Sequence, residues 1–303
     1  TKISHYFNKK TSTKTQLPKL NSKKHIQWHA CCNIPFTQKI HGLTCNKQQD
    51  YCLFDKKGKR MSTYINSQKN LLIEALGIET QRRLFPHLEV VHLEMGEVIA
   101  ESGDVMKNVY FPIDSIVSLV YDTREGNSTE ISLVGNEGFV GIALFMGGDS
   151  TPSRSVVQSA GNAYRLSSRK FKEELSQHGD MQKLMLRYIQ SLFTQMAQTA
   201  VCNRHHSINQ QLCRFLLLML DRLSDNHLLL TQELIASMLG VRREGITDAA
   251  GKLQKLGVIE YTRGHITVLD RAELENLTCE CYTIVKQETD RLLPHRHLYR
   301  HSA

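Results

Sequence analysis

Hydrophobic positions recur at helical spacing from residue 71 to residue 85, which predicts a leading helix. Over 93–165 they alternate instead. The runs 93–100, 108–113, 115–121 and 130–134 read as short strands, and Gly96, Gly103, Gly126, Gly135 and Gly141 punctuate them. Short strands parted by glycine turns predict a β-roll or barrel. The helical period returns at 181–201. Leu184, Met185, Tyr188 and Leu192 form one stripe there, and Ile189, Phe193, Met196 and Ala200 form another. A helix on the surface of one domain needs one apolar stripe. Two stripes predict the roll on one side and a twin helix on the other, hence a two-fold homodimer. A helix buried within one chain is the competing reading.

The polar run 203–211 breaks the pattern and reads as a hinge. His205 and His206 within it could ligate haem or metal, but a polar hinge is the preferred reading. A strongly apolar stretch at 211–221 predicts a core helix. After residue 270, Leu274, Leu277, Cys281, Ile284, Val285 and Leu292 form an amphipathic helix that packs back on the body or the dimer. The basic, histidine-rich run 294–303 reads as a solvated tail.

Between these helices, 230–269 carries the spacing of a helix-turn-helix with a wing. Thr231 is placed to cap the first helix. Ala236 is small where a second helix must cross closely. Gly240 stands where the chain reverses and needs positive φ. Ile235, Leu239, Val241, Ile246 and Ala249 supply the inward face. Gly257 follows Leu256 as a helix-ending glycine. The second helix, from about residue 243 to 256, would present Arg242, Arg243, Glu244, Thr247 and Asp248 to a DNA major groove. Arginine can bind guanine O6 and N7 with two bonds, and glutamate can accept from cytosine N4. Gly245 inside this helix either lets the backbone approach DNA or is merely tolerated. Strands at 258–261 and 266–269 flank the turn 262–265, and Arg263 is placed to meet phosphate. Thr231, at the start of the first helix, joins this set of expected DNA contacts.

The chain has 303 residues and a net charge of +8. That surplus sits in one place. Residues 1–60 hold 13 Lys+Arg against 2 Asp+Glu, whereas the other 243 hold 25 against 28. DNA affinity must therefore come from a local patch rather than a global field. Residues 1–60 show no sustained period and read as a disordered or non-native basic extension. A zinc reading of His25, His29, Cys31, Cys32, His41, Cys45 and Cys52 fits poorly, because Cys31 and Cys32 are adjacent and no paired C-x₂-C spacing follows. Cys202, Cys213, Cys279 and Cys281 are expected to be reduced and buried. Cys279 and Cys281 on one helix would point to different faces. No apolar run is long enough for a membrane span, and a cytoplasmic location is expected.

Met95-Gly96-Glu97, Ser102-Gly103-Asp104, Phe139-Val140-Gly141, Arg154-Ser155 and the helix-turn-helix occur in an order that resembles the Crp/Fnr family, the cyclic-AMP receptor protein and its relatives. The resemblance covers about residues 71–270. It implies an α+β chain with an N-terminal cyclic-nucleotide-binding-like β-roll (61–180), a long dimerisation helix with its hinge (181–204), a winged helix-turn-helix (205–270) and a C-terminal helix and tail (271–303). It also implies double-stranded DNA with a palindromic operator as partner, together with RNA polymerase. In the family, a glutamate after Phe-x-Gly holds the ribose hydroxyl and an arginine pairs the cyclic phosphate. Gly141, Ile142, Arg154 and Ser155 are the corresponding ligand candidates. Ile142 stands where glutamate belongs, and a buried hydroxyl without its acceptor costs about 1–3 kcal/mol. Cyclic AMP is therefore doubtful, and a different small-molecule or anionic effector remains open. Arg154 would otherwise pair with Glu137 or Asp149, and Glu137 reads as a solvated turn residue. Family activators carry arginine, glutamate and a second arginine, and this chain has Arg243, Glu244 and Asp248. Asp248 would repel phosphate or choose cytosine.

Two rival classes compete with this reading. One is a cyclic-nucleotide or small-anion binding module whose winged helix is structural. The other is a cupin-type metal enzyme. That chemistry needs a His-x-His pair on a strand, and here His87 and His92 merely flank the first strand. No catalytic residues, cofactor or metal are assigned.

Overall fold

The computed structural model describes residues 53–54, 60–61 and 70–293. The expectations for the rest of the basic segment, including its metal reading, and for the tail lie outside the described residues. Strands β1 (Leu53–Phe54) and β2 (Arg60–Met61) pair antiparallel.

The expected leading helix is broken in two, α1 (Leu71–Ala75) and α2 (Ile78–Leu84). Asn70 holds the first one in place. Its Oδ1 accepts from the Ile73 N–H at 3.1 Å, and its Nδ2 donates to the Pro112 and Gly138 carbonyls at 2.8 and 3.0 Å. The Asp180 carboxylate accepts from the Gly77 N–H at the break and from the Thr80 hydroxyl. Side-chain acceptors thus satisfy helix-end donors that have no partner in the helix itself. A short 3₁₀ turn, Phe85–His87, then leads into the roll.

The roll contains β3 (Glu89–Leu93), β4 (Val98–Ala100), β5 (Asn108–Pro112), β6 (Ile116–Asp122), β7 (Ser128–Val134), helix α3 (Ile142–Met146), β8 (Arg154–Ser159) and β9 (Gly161–Ser167). Its sheets run β3-β9-β5 and β4-β8-β6-β7, and all their pairings are antiparallel. Val109, Phe111, Ala163 and Leu166 from one sheet and Val117, Val134 and Val157 from the other are buried in one core. The strand expected at 93–100 is two strands, because a turn closes at Glu97 N–H to Glu94 O, 3.0 Å. Helix α4 (Ser168–Leu175) was not anticipated; Ser167 caps it and Phe171 is its buried anchor.

Helix α5 (Asp180–His205) runs 26 residues, so it takes up the first part of the expected hinge. The break is confined to His206 and Ser207. There Ser207 and Gln210 form a reciprocal capping box that starts α6 (Ile208–Leu220). The remaining elements are β10 (His227–Leu229), α7 (Gln232–Leu239), α8 (Arg243–Lys255), β11 (Ile259–Thr262), β12 (His265–Val268), α9 (Arg271–Leu277) and α10 (Glu280–Leu292). Strands β10-β12-β11 form one sheet.

The two stripes of α5 have different surroundings. Leu184, Met185, Tyr188 and Leu192 are buried with the roll, as expected. On another side lies α10 of the same chain, with Ser191 Oγ and Thr289 Oγ1 at 2.8 Å and Gln190 donating to Glu288 at 3.1 Å. Of the second stripe Ile189 is buried, whereas Phe193 stays open, as do Leu186 and Val201, at 58, 54 and 42% exposure. The winged-helix core also reaches the roll, because Ile116, Val120 and Leu133 pack with it. Among the described residues no helix is long and apolar enough to cross a membrane.

Candidate DNA-reading surface and effector site

The winged helix is assembled as its spacing requires. Thr231 Oγ1 accepts from the Leu234 N–H at 3.1 Å and caps α7. Gly240 ends that helix at φ 65, in the left-handed region that glycine enters without strain. The chain reverses, and the Val241 N–H returns to the Ala236 carbonyl at 3.0 Å. Helix α8 then buries Ile246, Ala249, Ala250 and Leu253. Its other side leaves Arg242, Arg243, Glu244, Thr247 and Asp248 exposed. The Thr247 hydroxyl donates to Gln232 Oε1 at 2.7 Å and so joins α8 to α7.

Three features of this surface were not legible in the sequence. Gly245 faces α6. A Cβ there would stand 2.7 Å from Ile208 Cδ1, so the glycine permits close packing of α8 on α6. Asp248 is paired with Lys252 at 2.7 Å, one helical turn on, which offsets its repulsion of phosphate. The wing turn is a two-residue hairpin, since Thr262 and His265 are themselves partners in the ladder. Arg263 and Gly264 have φ 50 and 86. Both values are positive, as in the type I′ turn that suits the twist of paired strands. Arg263 is exposed at its tip.

The effector candidates divide between two faces of one sheet. Strand β8 alternates, and Ser155 and Val157 are buried toward the roll interior. Arg154 and Val156 point the other way. Val156 packs against the winged-helix core, and Arg154 sits opposite Val120 of the same outer face. Its partner is neither Glu137 nor Asp149 but Asp122, with Nη2 to Oδ1 at 2.9 Å. That guanidinium holds the Asp122 carboxyl below its usual range. Gly141 precedes α3 at φ 130, and a Cβ there would meet Val109 Cγ1 at 2.6 Å. Ile142 is half-buried and packs against the roll core. Phe139 lies 5.8 Å from Phe111, 5.7 Å from Phe171 and 5.2 Å from Tyr188 between ring centroids. These rings and Ser155 line the roll interior, and Arg154 is not among them.

Two sites escaped sequence reasoning. Glu137 is buried, not solvated, and pairs with Arg222 at 2.6 Å. The two lie 85 positions apart, so local pattern carried no signal of their meeting. Cys202, His206, Cys279 and Cys281 also come together. The four late cysteines are free and buried as expected. Cys279 and Cys281 do not point apart, however, because Cys279 is the N-cap of α10 with extended backbone, φ −95 and ψ 166. The angular rule for helix interiors does not apply at that position.

Comparison with known proteins agrees with this geometry. Residues 210–277 match the Crp-like helix-turn-helix domain, and residues 90–178 match the cyclic nucleotide-binding domain. FixK2 from Bradyrhizobium japonicum aligns at 14% identity and TM-score 0.56, over 63% of this chain and 98% of that one. TTHB099, a CRP-family transcriptional regulator from Thermus thermophilus, gives 16%, 0.52, 61% and 95%. The regulator CLP of Xanthomonas campestris gives 15%, 0.52, 64% and 100%. At such identities the likeness is one of fold. No curated protein sequence matches. A cyclic nucleotide-binding domain followed by a Crp-like helix-turn-helix domain makes this chain a DNA-binding transcription regulator of the Crp/Fnr type.

Proposed function

We propose that the protein binds a two-fold operator as a homodimer and reads each half-site with α8. The observation that carries this reading is the split character of α8. One face is anchored by Ile246, Ala249 and Leu253, and the other leaves Arg242, Arg243, Glu244, Thr247 and Asp248 exposed. Arg243 is 3.9 Å from Glu233, an exposed and weak pair that a guanine edge can replace. Thr231 stands at the N-terminus of α7, whose first-turn N–H groups favour a phosphate, and Arg263 reaches a second phosphate from the wing. The line Leu186, Phe193 and Val201 supports pairing of two α5 helices, because a solvent-facing helix has no need of it. Two α8 helices would then meet major grooves one DNA turn, about 34–36 Å, apart.

The roll is proposed to respond to an effector other than cyclic AMP. Ile142 offers no acceptor for a ribose hydroxyl, and Arg154 is engaged by Asp122 on the outer face of its sheet. The test is retention of random genomic fragments by the purified protein, followed by sequencing. An inverted repeat shared by the retained fragments is expected. A monomer that retains no fragment at modest salt would overturn the proposal. Calorimetry with cyclic AMP tests the effector reading separately, and tight binding would reject it.

A further inference from the structure

At the junction of α5, the break before α6 and the start of α10, four side chains meet that the DNA-reading function does not use. The ligand atoms of Cys202, His206, Cys279 and Cys281 all lie within 4.8 Å of one another. We propose that these four residues bind one Zn²⁺ as a closed site of three thiolates and one imidazole, tying the end of α5 to the N-terminus of α10. This departs from the sequence-based assignment of no metal ligand.

The distances fit a single tetrahedral ion. Zinc–sulfur bonds of about 2.3 Å and zinc–nitrogen bonds of about 2.0 Å set sulfur pairs about 3.8 Å apart and sulfur–nitrogen pairs about 3.5 Å apart. Cys202 Sγ and Cys279 Sγ are 3.6 Å apart, and Cys281 Sγ and His206 Nδ1 are 3.5 Å apart. A disulfide would require about 2.05 Å and would leave a third thiol and the imidazole without a role. An iron–sulfur cluster spreads its cysteines over separate irons, whereas these four atoms all lie within 4.8 Å of one another. Three soft sulfurs and an imidazole in that arrangement select zinc rather than magnesium or calcium, which prefer oxygen.

The surroundings also suit a metal. The three thiols are 0, 4 and 0% exposed. His206 turns Nδ1 toward the sulfurs, and its Nε2 faces Glu280 Oε2 at 3.3 Å. A carboxylate behind the non-ligating nitrogen is the usual support of a zinc-bound histidine. Gln211 donates to the backbone carbonyls of His206 at 2.9 Å and Cys202 at 3.4 Å, which fixes the chain that carries two of the ligands. Three thiolates on Zn²⁺ leave a net charge of −1. Arg214, buried and hydrogen-bonded to Thr199 of α5 at 2.8 Å, places a cation against the helix that carries Cys202. Occupancy would fix the break at His206–Ser207, across which the long helix meets the DNA-binding half.

The full chain, purified with its thiols reduced, should take up Co²⁺ with thiolate-to-cobalt charge-transfer absorption and the intense visible bands of a tetrahedral ion. Zn²⁺ should displace the cobalt. The Cys279→Ser/Cys281→Ser variant should lose one equivalent per chain, and Cys213→Ser should lose none. Any metal held by the cysteines of residues 1–60 stays in both variants and subtracts out. His206→Cys should keep the equivalent but strengthen the charge-transfer band, a change that a purely structural role would not produce. Equal uptake by the full chain and the double-serine variant overturns the proposal. So does a Cys202–Cys279 disulfide in a protein that takes up no metal after reduction.

Discussion

Glu137 and Arg222 meet at 2.6 Å, each with 4% of its side chain exposed, and join the loop after β7 to the second residue past α6. Arg222 also donates to the Leu218 carbonyl at 2.6 Å, so its position is fixed from the winged-helix side. A buried pair contributes little net stability compared with apolar groups of the same shape, but removing one member strands the other. Arg222→Ala should therefore lower stability by about 3–5 kcal/mol. Glu137→Gln combined with Arg222→Met should recover much of the loss. Urea unfolding of the three proteins checks this, and an Arg222→Ala midpoint equal to that of the parent would refute the coupling.

Glu130 provides a pH dependence. It is buried on β7, where the Ser118 hydroxyl donates to it at 2.5 Å, and it lines a small cavity with Met238 and Leu239 of α7. Burial pushes its carboxyl up to about 7 from 4.5. A raised folded-state value means that the fold favours the protonated form. Its contribution is complete below pH 4.5, declines as pH rises toward 7 and is absent above that. The whole effect is on the order of 3 kcal/mol. Glu130→Gln should be more stable than the parent at pH 8, and the two should converge near pH 4.5. A constant difference across that range would show that Glu130 does not titrate in the fold.

Gly138 and Tyr188 couple the roll to α5. A Cβ on Gly138 would lie 2.3 Å from the Tyr188 hydroxyl oxygen and 2.5 Å from Cζ. The ring cannot retreat easily, because Phe139 packs 5.2 Å from it. Gly138→Ala should cost at least about 1–3 kcal/mol through overpacking. Adding Tyr188→Leu, which frees that space, should make the alanine at 138 far less harmful. Thermal unfolding of the four combinations measures the coupling, and strict additivity would deny the contact.

What the sequence made legible follows physical range. The helix-turn-helix could be read because Thr231, Ala236, Gly240 and Gly257 act on neighbours a few residues away. Backbone sign and cap chemistry are local, and all four stand where their spacing placed them. The roll was legible as alternation, but the face on which Arg154 lies was not. Strand parity depends on register, and bulges shift the register of β6 and of β4 against β8. The place of α10 beside α5 was not legible for a related reason. An apolar stripe reveals that something covers it, not whether α10 or another copy does. The Glu137–Arg222 pair and the cysteine cluster join positions 85 and 77 apart, where no local period operates.

The wing and the recognition helix should fail in different ways when altered. Arg263 occupies a hairpin position with φ 50, so Arg263→Asn removes the charge while keeping a residue that tolerates this backbone. A phosphate contact carries no base information. Its loss should weaken binding to all sequences alike and reduce the slope of log K against log salt by about 0.9 per wing, hence about 1.8 for a dimer. On the proposed reading of α8, Arg243→Ala removes a bidentate contact instead. It should cost about 1–3 kcal/mol at one base pair of each half-site and relax preference there. Binding-site selection and titration at two salt concentrations separate the two effects. An unchanged base preference in Arg243→Ala would remove α8 from the reading role, whatever the wing does.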